Sequence, residues 1–107
     1  MIQFQDKSLI NRETLFDEIY AENTRQLKKW GVQTHSLFEW CNYLTEELGE
    51  LAKAIAENEY RKGMKEDIYN EAIQVSTLAL KIAEMVMVSR AKKKYEEVYE
   101  LVSNGLV

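Results

Sequence analysis

Three glutamates, Glu46, Glu47 and Glu50, crowd into the stretch YLTEELGELAKAI with no lysine or arginine among them. Like charges at that spacing weaken a helix by a few tenths of a kcal/mol, so they imply either a bound cation or a solvated acidic face. A second polar set follows in KEDIYNEAIQVS, where Asp67 and Glu71 are one turn apart and Gln74 comes three residues later. With successive residues about 100° apart, Glu47 falls roughly 80° and Glu50 roughly 140° to one side of their helix's apolar stripe. Glu71 and Gln74 fall about 60° and 120° to the same side of theirs. If the two helices face each other antiparallel, Glu47, Glu50, Glu71 and Gln74 line one edge of a single groove. Oxygen ligands gathered in this way suit a hard divalent cation, Mg²⁺ with Mn²⁺ as an alternative, which keeps open positions for water and phosphate oxygens. Glu46 points further round, where it would act on a bound water. A di-iron carboxylate centre needs Glu-x-x-His on each of two helices, and the single histidine, His35, is not in that register.

The elements that must position these groups read as helices. Leu15, Phe16, Ile19, Tyr20, Leu27 and Trp30 recur at helical spacing from about Asn11 to Trp30, with Gly31 as a stop. Thr34 or Ser36 can cap a second helix that runs to about Tyr60. Leu37, Cys41, Leu44, Leu48, Leu51 and Ile55 form its three-four stripe. Gly63 breaks the chain. A third helix is expected over Lys65 to Val88, with Ile68, Ala72, Val75, Ala79, Ile82 and Val86 as its stripe. Ser89 would cap a fourth through AKKKYEEVYELV, fraying at SNGLV, and residues 1 to 10 read as a loose arm. The expectation is one all-α domain over residues 1 to 107, a four-helix bundle with short antiparallel connections. Ala72 and Ala79 admit a close neighbour, and Leu78, Met85 and Met87 widen the third helix's apolar girth. A helix apolar on several sides in so small a chain implies a homo-oligomer, dimer or tetramer, formed through the helices.

Composition supports this class and excludes others. The chain has no proline and four glycines in 107 residues, too few for many turns. Its formal net charge of −4 disfavours sequence-blind nucleic-acid binding, which rests on lysine and arginine meeting phosphates. One cysteine, Cys41, permits neither an internal disulfide nor a cysteine zinc cluster, as expected of a reducing cytoplasm. No apolar run is expected to approach the ~20 residues of a membrane span, and MIQFQDKS lacks a signal peptide's hydrophobic block.

Taken in order, WGVQTHSLFEW, YLTEELGELAKAI and EAIQVSTLALKI resemble the MazG-like, all-α nucleoside triphosphate pyrophosphohydrolase family, which also embraces dimeric dUTPases. The resemblance runs from about Trp30 to Met85. It matches the family's E-E-x-x-E block as Glu46, Glu47 and Glu50, but its E-x-x-D block reads Glu71-x-x-Gln74. What it implies is Mg²⁺-dependent cleavage of a (d)NTP between the α and β phosphates, giving a nucleoside monophosphate and pyrophosphate. Glu47, Glu50 and Glu71 would be metal ligands with Gln74 in the fourth place, and Glu46 or Glu47 would take the proton of the attacking water. Glutamine coordinates through its amide oxygen but brings no charge, so cation affinity should fall. A fold kept for protein interaction without catalysis is the alternative.

Trp30, Gln33 and His35 flank the start of the acidic helix, where that family's base-side pocket would lie. Trp30 can stack on a nucleobase or act as a packing anchor, and His35 can meet a phosphate or serve in capping. Trp40 and Tyr43 read as core or subunit-interface residues. Lys53 and Lys81 are candidates for the β and γ phosphates as point charges, and surface pairing is the plainer account of both. Lys92 to Lys94 with Glu96, Glu97 and Glu100 read as a solvated helix face, and Cys41 as an inert core residue.

Overall fold

A computed structural model describes residues 9–105. Among them the chain forms three helices and no strand: α1 (Arg12–Trp30), α2 (Leu37–Tyr60) and α3 (Lys65–Ser103). The expected loose arm lies, apart from Leu9 and Ile10, outside the described residues.

Local chemistry sets the helix ends. Asn11 caps α1, its side-chain oxygen accepting from the Thr14 N–H at 3.1 Å, and Gly31 closes it at φ 72°. Of the two cap candidates for α2, Ser36 does the work. Its hydroxyl accepts from the Glu39 N–H, and the Glu39 carboxylate accepts from the Ser36 N–H, both at 3.1 Å. Such a reciprocal box satisfies two otherwise unpaired donors, and it holds the exposed Glu39 carboxyl below its ordinary pKa. After Tyr60 the chain turns through Lys62 in the left-handed region, φ 63°. A side chain at Gly63 would meet the Glu57 backbone at 2.9 Å, so only glycine fits this return.

The four-helix expectation is corrected at Ser89. That residue lies inside α3, which continues without interruption to Ser103. A serine caps a helix only where the preceding backbone leaves helical geometry. Between Met64 and Asn104 there is neither proline nor glycine to force that exit, and a serine inside a helix costs only tenths of a kcal/mol. α3 then frays where expected, at Asn104 and Gly105.

α1 and α2 each pack against α3 rather than against each other. Trp40, Ile73 and Leu78 are the buried apolar side chains among the described residues. Thr77 is fully buried, its hydroxyl donating back to the Ile73 carbonyl at 2.8 Å. The expected α2 stripe is only partly the inner face: Leu44 and Leu51 are half-buried, but Leu37, Leu48 and Ile55 are exposed, and so is Cys41, which is not a core residue. The inner row instead runs through Trp40, Leu44, Glu47, Leu51 and Ala54. In α1, Phe16, Tyr20, Leu27 and Trp30 are likewise exposed, and Glu22 is buried. The extents of 67 × 33 × 22 Å and radius of gyration of 19.3 Å exceed the ~13 Å of a compact 100-residue domain, because the end of α3 stands clear of the body. By length and composition α3 is also apolar enough to cross a membrane, which differs from the expectation that no apolar run approaches that length. Core helices of water-soluble proteins share that property.

Candidate functional site

Glu47 and Glu71 meet across the α2–α3 contact. Glu47 sits on the inner row of α2 and Glu71 in the second turn of α3. Antiparallel packing of these helices, with Trp40 near Lys81 at the other end, brings the two carboxyls together. The Glu47 carboxyl holds its proton more tightly than an ordinary glutamate. Burial is the first cause and Glu71 the second, with Glu50 and Glu46 adding their charge. Oε2 of Glu71 is buried and has no hydrogen-bond partner. An orphaned buried carboxylate oxygen costs on the order of 1–3 kcal/mol, a cost that a proton or a cation would offset.

Beside this pair lies a cleft of about 520 Å³, open to solvent. Glu46, Glu47 and Gln74 line it together with Trp30, Gln33, Trp40 and Tyr43. Of the sequence-expected residues, Glu46, Glu47, Gln74, Trp30 and Gln33 thus share one cavity, and Glu71 abuts it through Glu47. Glu50 is exposed and acts on Glu47 by charge alone. Asp67 and Lys53 are exposed and outside the cleft lining. Glu47 and Gln74 thus share the cleft and Glu71 abuts it, while Glu50 stands outside its lining. What the donors present do fit is a hard cation held by few protein oxygens and otherwise by water: two carboxylates, one unpaired, beside an amide on the same cleft.

An aromatic trio closes one end. His35 lies edge-on to Trp40 at 4.9 Å and to Tyr43 at 5.1 Å between ring centroids, with Nδ1 at 3.4 Å from Glu39. His35 therefore braces the aromatic wall without lining the cleft. Trp30 is 55% exposed, a poor packing anchor and an available stacking face, with the Lys29 ammonium 4.8 Å from its ring centre. Lys81 donates to the Gln26 side chain and lies over Trp40 at 5.2 Å. Burial depresses its pKa, while Glu22 and Glu84 oppose that shift. It faces a smaller neighbouring cavity rather than the main cleft.

Sequence reasoning missed the contribution of α1. Glu22, Arg25, Gln26 and Lys29 form the opposite wall. Glu22 is 7% exposed and accepts from Arg25 at 2.5 and 2.9 Å. A signal was present: Leu15, Ile19, Glu22 and Gln26 keep strict three-four spacing, so the inward row of α1 becomes polar halfway along. No family model matches the chain, and neither a curated protein nor a solved structure matches it.

Proposed function

We propose that this protein is a Mg²⁺-dependent nucleotide pyrophosphohydrolase that converts a (d)NTP into the nucleoside monophosphate and pyrophosphate. One observation carries the reading: Glu47 and Glu71, from antiparallel helices, meet beside an open cleft with an aromatic end, and one of their oxygens lacks a partner. The resemblance over Trp30 to Met85 supports it, since Glu47 and Glu71, two of the residues that carry it, are the ones that meet there.

In this reading the cation is held by Glu47 and Glu71, with Gln74 and Glu50 completing or orienting its surroundings. When bound, it supplies charge that draws the polyphosphate to an acidic wall and polarises the α-phosphate. The chain's own groups do the rest. Trp30, Tyr43 and Gln33 bind the nucleoside end, through stacking and an amide that can pair with a base edge. Arg25 and Lys29 face the phosphates from α1, Arg25 by exchanging its bond to Glu22 for one to phosphate oxygens. Lys53 and Lys81 do not line the cleft and are second choices for that task. Glu46 lines the cleft as an exposed carboxylate able to take the proton from a water attacking the α-phosphorus. The bond between that phosphorus and the bridging oxygen breaks, and pyrophosphate leaves. The same proposal makes the protein a cytoplasmic homo-oligomer with neither nucleic acid nor membrane as partner. The uncovered Leu37, Leu48 and Ile55 of α2 are its support, because apolar rows left open on so small a core favour assembly.

A second reading has its own support. Gln74, which brings no charge where the family pattern has an aspartate, suits a helical interaction protein that kept the fold without the catalysis. Pyrophosphate release from a panel of NTPs and dNTPs, with and without Mg²⁺, separates the two. The enzyme reading expects Mg²⁺-dependent release that collapses in Glu71→Gln and falls in Glu50→Gln. Turnover unchanged in both variants would place the chemistry elsewhere, and no release from any substrate would favour the interaction protein.

A further inference from the structure

α1 and α2 flank the cleft, yet each packs on α3 and neither on the other. Apolar packing does little to fix their separation there. Along the inward row of α1, Leu15 and Ile19 give way to Glu22 and Gln26, so the half of α1 beside the cleft has little apolar surface to seat it. Among the described residues a single side-chain hydrogen bond joins two helices, from the Lys81 ammonium of α3 to the amide oxygen of Gln26 in α1. The same ammonium lies over the Trp40 ring of α2, 5.2 Å from its centre. One cation thus ties together all three helices.

Its two partners are wall residues. Gln26 and Trp40 line both the cleft and the smaller cavity beside it, while Lys81 lines only the smaller one. Lys81 therefore holds one residue from each flank of the cleft without lining the cleft itself.

We infer that Lys81 is a positioning residue, a cross-brace whose charge sets the separation of α1 and α2 at the aromatic end of the cleft. The chemistry of the group suits that task. An ammonium presents three donors and no acceptor, so it can hold the Gln26 oxygen and still face the electron-rich side of the indole. Both attractions need the positive charge. Burial works against that charge, and Glu22 of α1 with Glu84 of α3 supports it. That the separation serves a nucleotide rests on the function proposed above; that Lys81 sets it does not.

The test reads the two apart. Spin labels on Cys41 of α2 and on Lys28→Cys of α1, both exposed positions, report the distance between the flanking helices. Diluting labelled with unlabelled chains keeps the reading within one molecule. Lys81→Met keeps the apolar stem and removes the charge, and it should lengthen or broaden the distance distribution. Lys81→Arg should restore the wild-type distribution, because a guanidinium can serve both partners. Gln26→Leu leaves Lys81 in place and should broaden the distribution as Lys81→Met does. The two changes together should do no more than either alone, as for members of one interaction. In pyrophosphate release, Lys81→Met should raise KM about ten-fold with kcat within a factor of about two, and Lys81→Arg should recover the wild-type KM.

An unchanged distribution in Lys81→Met overturns the inference, and so does one that Lys81→Arg fails to restore. Where Lys81→Met does not fold, an unchanged distribution in Gln26→Leu overturns it equally. A fall in kcat at constant KM, with the distances intact, would make Lys81 a phosphate ligand instead of a brace. Wild-type protein that turns over no nucleotide would fail the enzymatic reading alone, since the distances still decide the brace.

Discussion

Glu47→Gln is expected to stabilise the metal-free protein at neutral pH while removing most of its response to Mg²⁺. The Glu47 carboxyl is half-buried and lies against Glu71, and both facts raise its pKa above the ordinary value of 4.5. A carboxyl whose folded pKa is raised contributes stability while protonated. That contribution is complete below about pH 4.5, the unfolded value, and is lost as pH rises through the higher folded one. At neutral pH the pair is therefore a cost. Two unit charges ~4 Å apart repel by about 4 kcal/mol at an effective dielectric constant near 20. Glu47 is partly open to water, which screens the effective cost toward ~1 kcal/mol. Glutamine removes the charge, and its amide can donate to Glu71, whose Oε2 lacks a partner. The net gain is about 1 kcal/mol, or roughly 4 °C in Tm for a domain of this size.

Thermal melts of wild type and variant across a pH series, in chelator and in Mg²⁺, provide the assay. The variant should melt higher at neutral pH in chelator, and the advantage should shrink toward zero as pH falls toward 4.5. Mg²⁺ should raise the wild-type Tm and leave the variant nearly unmoved, since the cation then finds one carboxylate instead of two. A variant that melts at or below wild type in chelator at neutral pH would refute the repulsive pair. Equal Mg²⁺ shifts in both proteins would refute the placement of the cation.

Gln74→Asp should tighten Mg²⁺ binding several-fold in calorimetry, because it adds an anionic oxygen to the same cleft; equal or weaker affinity would remove Gln74 from the site. Ser36→Ala should destabilise the fold by about 1 kcal/mol, the usual cost of losing an N-cap, read as a lower denaturation midpoint at unchanged slope. Trp30→Ala should weaken binding of a non-hydrolysable nucleotide at least several-fold while leaving the metal-induced rise in Tm intact, and a loss of both would mark Trp30 as structural.

The sequence made the helices legible wherever a chemical stop existed. Asn11, Gly31, Ser36 and Gly63 have the capping or turning chemistry that ends α1, bounds α2 and returns the chain to α3. The reading failed at Ser89, where a capping residue type stood without the backbone break that capping needs. Rotational offsets were sufficient to bring Glu47 and Glu71 to one side of the α2–α3 pair and to put Gln74 on the same cleft. They were insufficient for Glu50, because an offset of about 140° lies outside the contact. The apolar stripes misled about the core for a related reason. Periodicity shows that Leu37, Leu48 and Ile55 share a face, but it does not distinguish a face that meets α3 from one that is left uncovered.

The cleft itself depends on how polar residues are distributed along α3. α1 lies against α3 along Asn70, Gln74, Thr77, Lys81 and Glu84, and it answers with Glu22, Arg25 and Gln26. Polar side chains need room, partners or water, so α1 packs on α3 without meeting α2, and the gap between them becomes a binding space. The same row beyond Glu84 has no such restraint. There the residues are apolar and exposed. One helical row thus keeps the body open at the cleft where it is polar, and turns apolar only where no other described helix of the chain covers it.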